Sequence, residues 1–275
     1  MSPFTEQALA RIPAGSGADV DRAVRAAREA FDHGPWPRMS LSERMDVVRR
    51  FGKAITENRE SIAALITDEM GCPITQTVAS QSGAAIALID TNLELVEQYP
   101  WRTVRRSNTG NALVTRVPIG VVAAVVPWNA PLSVAMLKLV PALLSGCTVI
   151  LKPSPEAPLS SYLLAEMVQA AGFPAGVMNI VTADRAESEY LVTHPGVNKV
   201  SFTGSTLAGR RIASLCGTTS GATHSNWAGS PPRSSSTTPT SMVRCSPSGR
   251  SRSVTTVRHA RTRRGSSCRG VARRT

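Results

Sequence analysis

Residues 218–275 contain no Leu, Ile, Phe or Tyr, and no Lys, Asp or Glu. Such a stretch has too little apolar surface to offset the entropy of ordering its chain. Its 58 residues instead carry 11 Arg, 13 Ser and 10 Thr. Residues 1–217 are nearly neutral, with 20 Lys and Arg against 19 Asp and Glu. Almost all of the net charge of +12 therefore belongs to the tail. One uniform globular domain is excluded. The reading is a folded part over 1–217 and a disordered Ser/Thr/Arg-rich tail over 218–275.

Other absences narrow the class further. The first residues, Met1 to Gln7, lack the basic and apolar regions of a signal peptide. The apolar region from Val117 to Leu151 is interrupted by Pro127, Asn129, Pro131, Lys138 and Pro141. A buried βαβ unit suits it better than a membrane span. Cys72, Cys147, Cys216, Cys245 and Cys268 are scattered and odd in number, with no CxxC or Cys/His cluster. That argues against a zinc site or a disulfide framework, so no metal is expected. A reducing, cytoplasmic setting follows.

The remainder shows two periodicities. Val20, Val24, Ala27 and Phe31 recur at helical spacing, with Gly34 as a stop. Ser40-Leu41-Ser42-Glu43 has the form of a capping box, and Met45, Val48, Phe51 and Ile55 follow on one face. Ile62, Leu65, Ile66 and Met70 continue to Gly71, completing an N-terminal helical layer. Arg105 to Asn111 reads as a loop or turn. Beyond it, Val121–Val126, Val149–Leu151, Asn179–Val181 and Lys199–Phe202 read as neighbouring strands buried on both faces. Helices over 131–145, bent or ended near Pro141, and over 160–171, 188–194 and 206–215 alternate with them. The fold class is α/β: a Rossmann-like, doubly wound parallel sheet.

Ligands on such sheets sit at the carboxyl ends of the strands. Three polar sites fall there: Trp128-Asn129, Lys152 and Thr203-Gly204-Ser205. The last joins a strand to a helix, where glycine and free amides suit a phosphate. It is neither GxGxxG nor a P-loop, and alone it is equally a tight turn. Lys152 ends a buried strand, where an amine can reach ribose hydroxyls or phosphate, or be merely solvated. Asn129 can donate to a developing oxyanion or cap the helix beginning at Pro131.

Together these residues resemble the NAD(P)-dependent aldehyde dehydrogenase superfamily. The carrying motifs are residues 117–131 (VPIGVVAAVVPWNAP), 151–155 (LKPSP), 172–181 (GFPAGVMNIV) and 199–206 (KVSFTGST). The resemblance covers 1–217. It implies NAD or NADP as cofactor and an aldehyde as substrate, oxidised to a carboxylic acid. It implies that Asn129 holds the oxyanion and that Lys152 binds the adenosine ribose, with Ser154 beside it. It also implies that Ser205, next to Gly204, contacts the pyrophosphate, and that Val126, Pro127 and Trp128 line the nicotinamide side. Many members carry Glu three residues after the lysine; here Pro155 stands there and Glu156 follows. The intact family forms homo-oligomers. No membrane or nucleic-acid partner is implied.

The family's cysteine nucleophile and water-activating glutamate have no counterpart in the chain as read. Both reappear when the reading frame of the tail is moved. Each new codon then takes the last base of one residue and the first two of the next. The tail can spell Leu-Glu-Leu-Gly-Gly-Lys, its glutamate codon straddling Ser225 and Asn226. The first glycine of that pair is forced, because Trp227 has only the codon TGG and Ala228 begins GC. The same frame permits Asn-Gly-Gln-Ala-Cys, its cysteine codon straddling His259 and Ala260, 34 positions on. The tail therefore reads as out of frame. Ser2-Pro3-Phe4-Thr5 resembles an internal family segment, so the start reads as truncated. The expected protein is a catalytically inactive fragment. Two alternatives stand beside it: a nucleotide-binding module without catalysis, and a nucleic-acid binder acting through the arginine tail.

Overall fold

The computed structural model describes residues 1–108, 110–218 and 222–228. Helix α1 spans Gly17–Asp32, α2 Leu41–Glu57 and α3 Arg59–Met70. The capping box at α2 forms as its residues predict. The Glu43 amide donates to Ser40 Oγ (3.3 Å), and the Ser40 amide donates to Glu43 Oε2 (2.7 Å). Next comes one continuous helical run: α4 (Ile74–Thr77), a π-helical turn (Val78–Gly83) and α5 (Ala84–Glu97).

Strands β1 (Arg102–Ser107) and β2 (Gly110–Thr115) form an antiparallel hairpin. The loop expected over Arg105–Asn111 is thus a correction: most of it is paired strand. Its polar residues carry no inward-facing alternation because β2 is exposed along its whole length.

The main sheet is parallel. In chain order come β3 (Val121–Val125), α6 (Pro131–Leu144), β4 (Thr148–Lys152), α7 (Leu159–Ala171), β5 (Met178–Ile180), α8 (Arg185–Thr193), β6 (Lys199–Ser205), α9 (Thr206–Thr218) and β7 (Ala222–Ala228). The spatial order is β5-β4-β3-β6-β7. The four strands read from the sequence are therefore neighbours, with β4 and β6 on either side of β3. Pro141 does not end α6. It lies on the exposed side, and the carbonyl it leaves unpaired belongs to Leu137, whose side chain is 52% exposed. Gly172 takes φ 77° and stops α7, a conformation costly for any residue with a Cβ.

The sheet is covered on both faces. Ala124, Val126, Val149 and Leu151 pack with α2, α5, α6 and α7. Val121, Ala123, Val125, Ile150, Val200 and Phe202 pack with α1, α8 and α9. The expected single N-terminal helical layer is thus divided, with α1 on the opposite face from α2 and α5. Ile150 and Leu151 are wholly buried, each side chain stabilising the fold by roughly 2 kcal/mol.

Strand pairing is described on both sides of the boundary expected at Gly217. β7 pairs in parallel with β6, from Lys199 beside Ala222 to Ser205 beside Ala228. The remainder of the expected disordered tail lies outside the described residues. Among the described residues, no helix is long and apolar enough to cross a membrane.

Candidate functional site

The chain builds outward from β3 to β4 and β5, then returns to lay β6 on the other side of β3. The order reverses between β3 and β6, and a crevice opens beyond the carboxyl ends of strands at such a point. Register aligns those ends. Val125 sits beside Lys152 of β4 and beside Phe202 of β6. The segments following Val125 and Lys152 therefore leave the sheet together, and β6 runs on past Phe202 to Ser205 at the same end.

Beyond β3, Val126 remains buried and its amide donates to the Lys152 carbonyl (3.2 Å). Pro127 is half-buried, and Trp128 and Asn129 are exposed. Two prolines bracket the loop, Pro127 and Pro131, the latter at the first position of α6. The Asn129 side chain makes no hydrogen bond among the described residues. Its capping alternative is set aside, because the residue at the helix cap is Ala130.

Lys152 is only 7% exposed. Burial pulls its ammonium below the usual lysine range, against the attraction of Glu156 and Asp184. No hydrogen bond to the ammonium occurs among the described residues, so it retains donors for a ligand. Ser154 is half-buried, and its hydroxyl donates to Glu156 Oε2. Sequence reasoning gave Glu156 only a passing part and missed Asp184. Asp184 stands at the N-terminal end of α8 just beyond β5, without a side-chain cap bond, and only the adjacency of β4 and β5 brings it toward Lys152.

The third site belongs to β6 rather than to a turn, because the strand runs through Thr203-Gly204-Ser205. Ser205 Oγ accepts the amide of Ala208 (3.3 Å), capping α9. The first amides of a helix have no acceptor within it, and its dipole favours an anion there. Gly204 has a packing reason as well: a Cβ there would lie 2.6 Å from Phe202 Cζ. The sequence-predicted residues thus gather at one end of the sheet.

The cysteines do not join them. Cys147 is buried next to the start of β4, at the opposite end. Cys216 is buried in α9 against the Val192 carbonyl, and burial pushes its thiol up. Cys72 follows α3. Cys245 and Cys268 lie outside the described residues. No cluster of three or more His, Cys, Asp or Glu occurs among the described residues. Two depressions flank β5 near Tyr162 and Ile180, and neither is lined by Asn129, Lys152 or Ser205.

Comparison with known proteins bears on this arrangement. The model of the aldehyde dehydrogenase family matches residues 1–232. Geranial dehydrogenase of Castellaniella defragrans is 41% identical over 217 residues, covering 78% of this chain and 45% of its own length. The NADP/NAD-dependent aldehyde dehydrogenase PuuC of Escherichia coli is 36% identical, with 77% and 43% covered. Aldehyde dehydrogenase C of Pseudomonas syringae, solved as a mutant with NAD+ and octanal, superposes with a TM-score of 0.79 at 37% identity. That superposition covers 84% of this chain and 47% of the other. The chain spans less than half the length of these relatives.

Proposed function

Because the chain belongs to the aldehyde dehydrogenase family, we propose that residues 1–217 form the dinucleotide-binding part of an oxidoreductase. Its reaction is the oxidation of an aldehyde to a carboxylic acid with NAD or NADP. One observation carries the reading. Register brings the Trp128-Asn129 loop, Lys152 and the N-terminus of α9 to the same end of the sheet, at its switch point. PuuC, named for use of both cofactors, and the Pseudomonas syringae complex with NAD+ support the cofactor class.

The residues present fit a dinucleotide. Lys152, a buried cation without a hydrogen bond among the described residues, would donate to ribose hydroxyls. The first amides of α9 not already taken by Ser205 would hold the pyrophosphate, with Ser205 and Gly204 at the approach. Ser154 stands beside Lys152, held by Glu156. Val126, Pro127 and Trp128 line the side that takes the nicotinamide. When bound, the nicotinamide supplies the hydride acceptor. Asn129 donates its amide to the aldehyde oxygen as that oxygen gains negative charge.

The chemistry also needs a thiolate nucleophile and a base. We propose that the chain as it stands binds dinucleotide without turnover. The burial of Cys147 and Cys216 away from the carboxyl end supports this. So does the shifted frame, which restores a glutamate codon and a cysteine codon at a fixed separation. Sequencing the encoding DNA around Gly217 tests the frame.

The assay is NAD(P)H production from a panel of aldehydes by the 275-residue chain, beside a dinucleotide titration. Binding without turnover is expected. Sustained turnover abolished by mutating Cys72, Cys147 or Cys216 would overturn the fragment reading. Salt-dependent DNA binding in place of dinucleotide binding would favour the arginine tail as the functional element.

A further inference from the structure

We infer that Gln81 is the positioning residue for the Pro127–Pro131 loop, and through it for Asn129. The inference rests on the reading of Asn129 given above, but its test does not.

The argument begins with a helix end lacking its own cap. Helix α6 has Ala130 at its N-cap position, and no side chain there can accept from the first turn. The third helical residue, Ser133, is served from elsewhere. Its amide (3.4 Å) and its hydroxyl (3.3 Å) both donate to Gln81 Oε1. Gln81 is 4% exposed, so this acceptor is held out of water, where an unmet donor is costly.

The π-helical turn explains how Gln81 comes to face α6. Adjacent residues of a helix point about 100° apart, yet Gln81 and Ser82 are both buried. They serve different helices. Ser82 Oγ donates to the Arg59 carbonyl at the start of α3 (2.9 Å), while Gln81 reaches Ser133 on α6. The widened turn thus sits in the notch between α3 and α6. Such turns recur at functional sites.

The loop is therefore tied at two points. Before it, the Val126 amide is held by the Lys152 carbonyl. After it, Ser133 is held by Gln81. Asn129 hangs between these anchors, with no hydrogen bond of its own among the described residues. The backbone on either side sets where its amide stands. Gln81 touches no reacting atom; it acts through the loop.

The test is amide hydrogen exchange on the full 275-residue chain, comparing the parent with Gln81→Leu, Gln81→Glu and Ser133→Ala. Gln81→Leu removes the acceptor, and exchange over residues 127–135 should quicken about five-fold. Exchange over β3 and β4 should stay unchanged. Gln81→Glu keeps an acceptor at the same reach, favourably placed at a helix N-terminus, and should restore the parent rate. Ser133→Ala should give a smaller acceleration in the same residues.

The inference fails if Gln81→Leu leaves 127–135 unchanged or speeds β3 and β4 equally. It also fails if Gln81→Glu exchanges as fast as Gln81→Leu. Should Gln81→Leu not fold, Ser133→Ala decides alone: acceleration confined to 127–135 supports the inference, and none or a uniform one overturns it. A parallel titration of the parent with NAD and NADP separates the two readings. Failure to bind either would remove the functional reading of the loop and leave the exchange result standing.

Discussion

At the amino end of the parallel sheet, polar side chains hold backbone. Asn198 Oδ1 accepts the Val121 amide (2.9 Å) and Arg28 Nη1 (2.8 Å). Thr148 Oγ1 donates to the Ala27 carbonyl (2.9 Å), and Arg44 Nε to the Leu144 carbonyl (3.0 Å). At the carboxyl end, Lys152 and Asn129 make no side-chain hydrogen bonds among the described residues. The same sheet thus has an end where polar groups serve stability and an end where they stand available. Substitutions at the two ends should separate in what they change.

The largest effect is expected at the available end. In a frame-restored chain, Asn129→Ala should lower turnover by about 3 kcal/mol in the barrier, with dinucleotide affinity and thermal stability unchanged. Steady-state kinetics beside calorimetry would read this. Equal turnover in mutant and parent would remove Asn129 from the mechanism.

Next comes Gly120, before β3 at the sealed end. Its φ is +128°, and a Cβ would lie 2.0 Å from Asn198 Oδ1. Gly120→Ala should destabilise the fold by about 2–3 kcal/mol. Denaturant unfolding measures this loss. A dinucleotide affinity that fell while stability held would break the comparison.

Lys138 lies between the ends, in α6. It is 7% exposed, and its ammonium donates to Ser201 Oγ (3.3 Å). Burial, with repulsion from Lys199, lowers its pKa to about 8 from the usual 10.5. The unfolded chain therefore holds this proton over a range where the folded chain has released it. Stability should rise as pH climbs from about 8 toward 10.5. Lys138→Met should flatten that rise and gain on the order of 2 kcal/mol at pH 7. Unfolding curves across that pH window decide it.

The smallest effect is expected for Cys147→Ala, which should cost about 1 kcal/mol of stability. Dinucleotide affinity should not change, because Cys147 sits at the sealed end. A tenfold weaker titration would contradict the placement of the two ends.

Much of this contrast was legible before folding. Apolar runs on both faces mark β3, β4 and β6 because parallel strands are covered twice. Polar residues at the ends of those runs, Asn129, Lys152 and Ser205, stand out for the same reason. The hairpin was not legible, since β2 is exposed on both sides and β1 nearly so, and such strands carry no alternating pattern. Asp184 was equally hidden, because it approaches Lys152 only once β4 and β5 pair. Gln81 gave no signal, as its acceptor faces Ser133 only through the π-helical turn.

The strand order also sets a timetable for synthesis. β3, β4 and β5 leave the ribosome in that order and can pair at once with their sequence neighbours. The other side of β3 waits for Lys199–Phe202, and Asn198 reaches Val121 across 77 residues. Chains grow at about 5–20 residues per second, so β3 remains an open edge for seconds. It is the five-residue strand Val-Val-Ala-Ala-Val, buried throughout in the finished fold. During that interval its unpaired ladder is open to a wrong partner.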